Sequence, residues 1–199
     1  MSANSSYNPI SMTLQYLKNF IKDRNVASIA PTTQATVKRV CRAIDFDKAK
    51  VIVEYGPGGG VFTRHLLDCM SPDARLVAVE KNPPFAQSLE KSINDDRLIV
   101  VCDGVERIKE ILVQHGISQV DYIISGVPFS FFSEDVRHQL IKDTSSVLVP
   151  GGLFLVYQVN PDGLAELLST AFTVGKPKRE PFNLPPLCIY TAEKAAAPN

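Results

Sequence analysis

A glycine-rich segment directly after a short apolar run is the feature that most constrains how this chain can fold. The run Val51–Tyr55 is apolar except for one acid, a pattern typical of a strand buried in a sheet. The segment Gly56-Pro57-Gly58-Gly59-Gly60 follows at once and leads into a predicted helix that runs through Met70. A strand, a tight turn and a helix make up the first half of a β-α-β unit, so the sequence predicts a parallel sheet.

The rest of the chain after residue 50 continues to alternate strands with helices. The predicted strands cover residues 75–80, 97–102, 120–125, 153–157, 174–180 and 187–191. The predicted helices cover residues 83–93, 106–114 and 163–172, with one more that begins at Ser133. Repeated β-α-β units with apolar strands imply an α/β fold, with helices on both faces of the sheet. Right-handed crossovers place the first strand near the sheet centre, and ligands bind at the carboxyl ends of such strands.

The first 44 residues do not follow this alternation. Residues 12–24 space apolar side chains along one face and carry basic side chains elsewhere, which predicts a basic amphipathic helix. Its apolar stripe either packs on the main domain or lies in a lipid interface, where basic side chains meet anionic headgroups. A second helix is predicted over residues 32–44. We therefore expect an N-terminal helical cap, residues 1–44, in front of a main domain, residues 45–199.

Charge and hydropathy exclude several classes of protein. Lys plus Arg and Asp plus Glu are 21 each, so the formal net charge is zero, which argues against coating of nucleic acid through bulk positive charge. The apolar stretch Val147–Tyr157 is too short to span a bilayer, and the polar N-terminus has no apolar signal core. We expect a cytoplasmic protein that attaches, at most, to the surface of the inner membrane.

Three acidic residues stand at the predicted carboxyl ends of the first three strands. Glu54 lies two residues before the first glycine, where it would repel a pyrophosphate and attract a cation. Glu80 ends the second strand, where an acid can accept hydrogen bonds from both ribose hydroxyls. Asp103 follows the third strand, with Gly104 behind it, and is placed to contact an adenine amino group. Each acid could instead act only locally, as a pairing group, a surface acid or a turn residue.

The glycine segment itself separates classes of nucleotide. Read from Gly56, the dinucleotide pattern G-x-G-x-x-G needs a small residue at a position that Val61 occupies. No Lys-Ser or Lys-Thr pair follows, so the segment is not a loop for nucleoside triphosphates. Scattered cysteines without a C-x-x-C pair and three histidines indicate no metal site. Three acids around a glycine loop fit a nucleoside with a cationic tail and no phosphates, which is S-adenosylmethionine.

Over residues 32–192 this arrangement resembles the class I S-adenosylmethionine-dependent methyltransferases. The motif E-x-G-x-G-x-G is complete at Glu54, Gly56, Gly58 and Gly60. The resemblance implies a Rossmann-like sheet of seven strands, mostly parallel with the last one antiparallel, and S-adenosylmethionine as cofactor. The cofactor-binding residues that it implies are Glu54, Tyr55, Gly56, Pro57, Gly58, Gly60, Glu80, Lys81, Asn82, Asp103, Gly104 and Ser125.

The fourth predicted strand ends in a loop, Ser125-Gly126-Val127-Pro128-Phe129, that faces the methyl group in this superfamily. The loop resembles the Asn-Pro-Pro-Tyr or Asn-Leu-Pro-Tyr element of the ribosomal RNA adenine dimethylases. Those enzymes hold an adenine amino group with the asparagine amide, but here Ser125-Gly126 replaces the asparagine and the aromatic residue is Phe129. This difference argues against a nucleobase as methyl acceptor.

A closer resemblance, over nearly the whole chain, is to the bacterial phospholipid N-methyltransferases that methylate phosphatidylethanolamine at the membrane. Besides the basic N-terminal helix, it is carried by residues 28–32, 53–63, 79–82, 125–129 and 183–186. It implies a phospholipid substrate, with no stable protein partner and no nucleic acid. The candidate catalytic residues are Ser125, Pro128, Phe129 and Tyr157.

The expected reaction is direct in-line transfer of the methyl group to a neutral amine. Tyr157, or Glu54 through a water molecule, is a candidate base. The rings of Phe129, Phe131 and Phe132 either contact the developing ammonium or anchor their loop in the core. The alternatives are an RNA adenine dimethylase, a small-molecule methyltransferase and a methyltransferase fold that serves only as a binding subunit.

Overall fold

The computed structural model describes residues 33–159, 161–181, 183 and 186–196. The predicted basic helix over 12–24 and the segment 28–32 lie outside these residues. The strands are β1 Val51–Tyr55, β2 Arg75–Val79, β3 Leu98–Val101, β4 Val120–Ser125, β5 Leu148–Gln158, β6 Thr173–Val174, β7 Lys178–Glu180 and β8 Leu187–Glu193. The α-helices are α1 Gln34–Val40, α2 Val61–Cys69, α3 Pro83–Ser92, α4 Ile108–Gln114, α5 Glu134–Val147 and α6 Leu164–Ser169.

The strands form one mixed sheet in the order β3-β2-β1-β4-β5-β8-β6, with β7 also paired to β8. The pairs among β1 to β5 are parallel, and β8 runs antiparallel to β5. The α/β class and the antiparallel last strand are therefore confirmed. The predicted sixth strand is present as two short pieces, β6 and β7, which both pair with β8. Because β1 lies between β2 and β4, the carboxyl ends of β1 to β4 meet at one edge of the sheet.

Both faces of the sheet are covered by apolar layers. Alternate side chains of β1 point to opposite faces, so Val53 and Tyr55 pack with α4 and α5 while Ile52 packs with α1 and α2. Glu54 shares the face of Ile52. Its carboxylate is thus placed beneath α1 and α2, at the start of the glycine segment.

Helix α1 is the described part of the predicted helix over 32–44. The side-chain oxygen of Thr33 caps it by accepting a hydrogen bond from the amide of Thr36 at 3.1 Å, and a short 3-10 turn, Cys41–Ala43, ends it. The helix buries Val37 and Val40 against the sheet. Its Arg39 forms an ion pair with Glu180 on β7 at 2.8 Å. The N-terminal segment is thereby joined to the antiparallel edge of the sheet.

The fifth strand differs from its predicted bounds of 153–157. It begins at Leu148 and includes Pro150-Gly151-Gly152, which the sequence indicated as a turn before the strand. The pairing with β4 shifts register between Val120 and Tyr122, which marks a bulge. Sequence patterns do not reveal such a bulge because the partner strand lies about thirty residues away.

No helix among the residues that the structure describes has both the length and the apolar character needed to cross a membrane.

We expect Gly152→Ala to destabilise the fold by about 1–3 kcal/mol, since the added methyl group has no room. A Cβ atom at this position would lie 2.9 Å from the carbonyl oxygen of Val149 and 3.0 Å from that of Asp121. Both are backbone atoms of the bulge and cannot turn aside. Urea unfolding followed by circular dichroism measures the effect. Gly59→Ala is the matched control, because a Cβ there meets nothing within 4 Å; equal stability of the two variants would contradict the prediction.

Candidate active site

The glycine segment forms a tight loop between β1 and α2. Gly56, Gly58 and Gly60 have φ angles of 68°, 51° and 76°, in the left-handed region that glycine alone enters freely. The amide of Gly60 donates to the carbonyl of Pro57 at 2.9 Å and closes the turn. A Cβ on Gly60 would also lie 2.5 Å from a methyl carbon of Leu89 on α3. The loop therefore presents backbone, not side chains, above the end of β1.

Arg64 holds the loop from outside, and the sequence analysis did not single it out. Its Nη1 donates to the carbonyls of Gly59 and Gly60 at 3.0 and 3.1 Å, and its Nη2 donates to Ser92 on α3 at 2.8 Å. A cation in the first turn of a helix is disfavoured by the helix dipole. The position of Arg64 in the sequence, near the start of a predicted helix, could therefore have indicated that nearby groups stabilise its charge.

Glu80 fixes the same loop from inside the site. One carboxylate oxygen accepts from the amide of Gly58 at 3.0 Å and the other from the amide of Asn82 at 2.8 Å. Burial raises the pKa of Glu80, and the hydrogen bonds from backbone amides oppose that rise. Lys81 next to it is exposed and pairs with Glu106 at 3.2 Å. The carboxylate is thus oriented by backbone at the end of β2.

Glu54 is 2% exposed. One carboxylate oxygen accepts from the hydroxyl of Thr63 at 2.7 Å, while the other, Oε1, has no hydrogen-bond partner among the described residues. Burial raises the pKa of Glu54 to about 7, and the charge of Glu80 adds to the rise. Thr63 was also missed by the sequence analysis; its only signal is a hydroxyl on the inner side of α2, nine residues after the acid.

Asp103 lies just beyond β3 and is partly exposed. One of its oxygens accepts from the amide of Gly104 at 2.7 Å and the other from Arg107 at 2.8 Å. Backbone hydrogen bonds link the three strand ends: the amide of Gly56 donates to Val79 and that of Glu80 to Val101, each at 2.9 Å. The three acids predicted to act together therefore follow three adjacent, linked strands.

The loop after β4 lies directly beside the glycine loop. A Cβ on Gly56 would be 2.8 Å from a methyl carbon of Val127, and the amide of Gly126 donates to the carbonyl of Tyr55 at 3.3 Å. The buried hydroxyl of Ser125 accepts from the amide of Val127 at 3.2 Å. Pro128 begins the 3-10 turn Phe129–Phe131. The glycine loop, residues 56–60, is the candidate cofactor loop, and residues 125–129 form the candidate acceptor loop. The two loops are thus in direct contact.

Two predicted site residues turn their side chains away from this edge. Tyr55 is fully buried on the opposite face of the sheet, where its hydroxyl pairs with Thr144 at 3.3 Å. Phe129 is 3% exposed and packs edge-on against Phe154 and Phe132. Strand alternation explains the first and core packing of the turn explains the second. Only the backbone of Tyr55 borders the site, and Phe129 anchors its loop.

Tyr157 sits at the end of β5 with its ring stacked on Phe62, at a centroid distance of 4.5 Å and an interplanar angle of 16°. Its hydroxyl lies against Gly126, where a Cβ would be 2.4 Å away. Burial raises the pKa of Tyr157 well above its usual range, and the charge of Glu54 adds to this. The phenol is therefore neutral near pH 7, which argues against the predicted role of a base.

A cavity of about 380 Å³ lies between Lys81 after β2, Glu106 after β3 and the start of helix α5. Its volume is at the lower end of small-molecule pockets. Lys81 is the predicted site residue that lines it, and the half-exposed ring of Phe131 stands at its wall. The lining residues are Lys81, Glu106, Phe131, Phe132, Ser133, Val136, Gln139 and Leu140.

These residues fit S-adenosylmethionine. Among the described side chains, neither Glu54 nor Glu80 has a lysine or arginine within ion-pair distance, and Glu54 retains its orphan oxygen. Two buried carboxylates without a cation attract a positively charged ligand. The same pair would repel the phosphates of a nucleotide. Glu54, Glu80 and the backbone of the loop would hold the cofactor.

Comparison with known proteins agrees with this chemistry. The family model described as ribosomal RNA adenine dimethylase matches residues 11–105. An ornithine lipid N-methyltransferase of Singulisphaera acidiphila is 32% identical over 177 residues, which cover 88% of this chain and 92% of that protein. A ribosomal RNA small subunit methyltransferase A of Nocardia farcinica is 33% identical over 103 residues, covering 49% of this chain and 31% of that protein.

The fold is shared with solved methyltransferase structures. The N-methyltransferase NodS from Bradyrhizobium japonicum WM9, in complex with S-adenosyl-L-homocysteine, superposes with a TM-score of 0.69. It covers 92% of this chain and 98% of the other at 12% identity. The likeness is one of fold, and it shows that this chain has the Rossmann-like fold of that methyltransferase.

We expect the affinity for S-adenosylhomocysteine to weaken about tenfold from pH 8 to pH 6, since protonation of Glu54 removes its attraction for the ligand ammonium. Its pKa of about 7 puts the change within this window. Isothermal titration calorimetry at both pH values measures it. Glu54→Gln, which cannot ionise, should bind weakly with little pH dependence.

The same pair of proteins without ligand provides the control. A carboxyl group whose pKa is raised on folding costs stability as pH rises from 4.5 to about 7, because the folded chain holds a proton that the unfolded chain has lost, and taking up that proton on folding becomes less favourable. The melting temperature of the wild type should therefore fall relative to that of Glu54→Gln between pH 5 and pH 8. A parallel pH response of the two proteins, in binding and in melting, would refute a titrating Glu54.

Proposed function

This chain belongs to the class I S-adenosylmethionine-dependent methyltransferases, and we propose that it methylates the amine of a membrane lipid. The observation that carries the proposal is the match to a lipid N-methyltransferase along nearly the full length of both chains. The similarity to ribosomal RNA methyltransferases covers 49–60% of this chain and 31–40% of those proteins. Cofactor binding is common to both groups, so the acceptor side of the site has to separate them.

The acceptor loop supports an aliphatic amine rather than a nucleobase. Gly126 offers no amide side chain, and the hydroxyl of Ser125 is engaged by the amide of Val127. The ring of Phe129 is buried in the core and is not available to stack on a base. A compact amine needs neither an amide pair nor a stacking surface.

The reaction divides between the cofactor and the protein. When bound, S-adenosylmethionine would supply a methyl carbon on a cationic sulfur for attack by the amine lone pair, with neutral S-adenosylhomocysteine as the leaving group and the surplus proton released to solvent. Glu54 and Glu80 stabilise the positive charge from one side. The apolar surroundings of the acceptor loop favour the neutral amine, because burial lowers the pKa of an ammonium group. The protein thus orients the reactants and excludes water.

Two acceptors follow from the sequence and the comparisons. Phosphatidylethanolamine is the acceptor that the resemblance to phospholipid N-methyltransferases implies. Ornithine lipid is the second candidate, since a relative that is 32% identical is described by that activity. Both present an amine at a membrane surface, and the proposal covers this shared chemistry.

Incubation with methyl-labelled S-adenosylmethionine tests the acceptor. The protein is supplied with phosphatidylcholine vesicles that contain phosphatidylethanolamine, with vesicles that contain ornithine lipid, or with ribosomal RNA. We expect label in the lipid extract of at least one vesicle sample, and loss of that label in Glu80→Ala, whose two backbone hydrogen bonds disappear. Label in the RNA alone, or in no sample, overturns the proposal.

Attachment to the membrane surface is part of the same proposal. The basic pattern over residues 12–24, outside the described residues, would contribute about 1 kcal/mol per basic side chain at an anionic surface. Reversing Lys18 and Lys22 to glutamate should reduce flotation with anionic liposomes by about tenfold or more, with unchanged affinity for S-adenosylhomocysteine. The same reversal at Lys91 and Lys142, exposed on α3 and α5, alters net charge equally and serves as control. An equal loss of flotation in both variants would show that net charge alone matters, and would contradict a specific role for residues 12–24.

A further inference from the structure

At position 126 a side chain is excluded by lack of space, whereas the backbone conformation does not require glycine. The glycines that need a left-handed conformation are Gly56, Gly58, Gly60, Gly116, Gly151 and Gly163. Gly126 is not one of them, so its φ angle would accept any residue. A Cβ at this position, however, would lie 2.4 Å from the hydroxyl oxygen of Tyr157, 2.6 Å from Cζ and 2.9 Å from Cε2. The three nearest atoms all belong to Tyr157, so the tyrosine ring stands in the way of a side chain here.

Tyr157 cannot give way easily. Its ring stacks on Phe62 of α2, and it is 7% exposed within the apolar layer beneath α1 and α2. Its backbone lies in β5, paired with Ile189 of β8. Moving the ring would lose both the stack on Phe62 and the burial. A side chain at residue 126 and a tyrosine at residue 157 are therefore sterically incompatible.

The phenol hydroxyl therefore stands where a side chain of residue 126 would otherwise project. The hydroxyl lies against Gly126 of the acceptor loop, and Glu54 is near enough for its charge to act on the phenol. The second carboxylate oxygen of Glu54 has no partner among the described residues. Two polar groups with unused hydrogen-bonding capacity thus border the position where the acceptor and cofactor loops meet.

We propose that the hydroxyl oxygen of Tyr157 accepts a hydrogen bond from the acceptor amine and orients its lone pair, and that Gly126 leaves room for this hydroxyl. The proposal rests on the proposed function and names the residue that recognises its substrate. A neutral phenol serves this purpose, since its oxygen accepts from the N–H group without removing the proton. The pair also determines specificity, because an amide side chain at 126 and a tyrosine at 157 cannot occupy the same space.

Tyr157→Phe tests the hydroxyl, as the phenyl ring retains the stack on Phe62. We expect kcat for the lipid amine to fall at least about tenfold, in line with the loss of one hydrogen bond to the reacting group. Affinity for S-adenosylhomocysteine should stay within about twofold, since the cofactor carboxylates are untouched. The pH profile of kcat should keep its shape, whereas removal of a general base would change it.

A double-mutant cycle tests the steric half without any substrate. Gly126→Ala should lower the melting temperature of the wild type, but should have little further effect in a Tyr157→Leu background, which lacks the three atoms that the methyl group meets. Such non-additivity is the mark of a direct contact. Additive effects on the melting temperature would overturn the steric coupling.

The outcomes separate the two proposals. If the wild type methylates lipid and Tyr157→Phe does so equally well, the role of the hydroxyl is refuted while the proposed function stands. A parallel loss of kcat and of S-adenosylhomocysteine affinity in Tyr157→Phe also refutes it, because the residue would then act on cofactor binding. If the wild type methylates no lipid amine, the proposed function fails, and the cycle still reports on the contact between the two residues.

Discussion

The interaction on which this site depends is the burial of two carboxylates without a matching cation. Glu54 and Glu80 are both less than a tenth exposed, and isolated buried charges are costly. The fold offsets part of this cost with one hydroxyl for Glu54 and two backbone amides for Glu80. The part of the desolvation cost that these hydrogen bonds do not offset makes the site attract positive charge. A cationic nucleoside bound here would stabilise the folded protein by supplying the positive charge that the two carboxylates lack.

The glycine loop makes this arrangement possible because it brings backbone, rather than side chains, close to both acids. Glu80 can accept from Gly58 only if the loop folds back toward β2, and the left-handed glycines permit that path. Arg64 then fixes the outer carbonyls of the loop to α3. Cofactor recognition and loop conformation therefore depend on the same residue. The carboxylate of Glu80, which would bind the ribose, also holds the glycine loop in place.

Local patterns in the sequence predicted most of the fold, and contacts between distant residues account for what they missed. Apolar runs located β1 to β4 closely, since buried parallel strands leave a strong signal. The start of β5 was missed because its bulge depends on β4. Alternation along β1 places Glu54 and Tyr55 on opposite faces, so the absence of the Tyr55 side chain from the site follows from a rule available in the sequence. The contact of Gly126 with Tyr157 joins residues that no local pattern connects.

The described residues of the N-terminal segment, 33–44, contribute to the site through burial. Burial raises the pKa of the Cys41 thiol at the end of α1, and the charge of Glu54 adds to the rise. Val37 and Val40 belong to the apolar layer that also holds Tyr157. This layer excludes water from Glu54 and thereby raises its pKa toward neutrality. The described part of the proposed cap, residues 33–44, thus sets the electrostatics at the end of β1. A change that loosened α1 would hydrate Glu54 and lower its pKa. At pH 8, where this carboxyl is already mostly ionised, the added water would weaken its attraction for a cation by screening the charge.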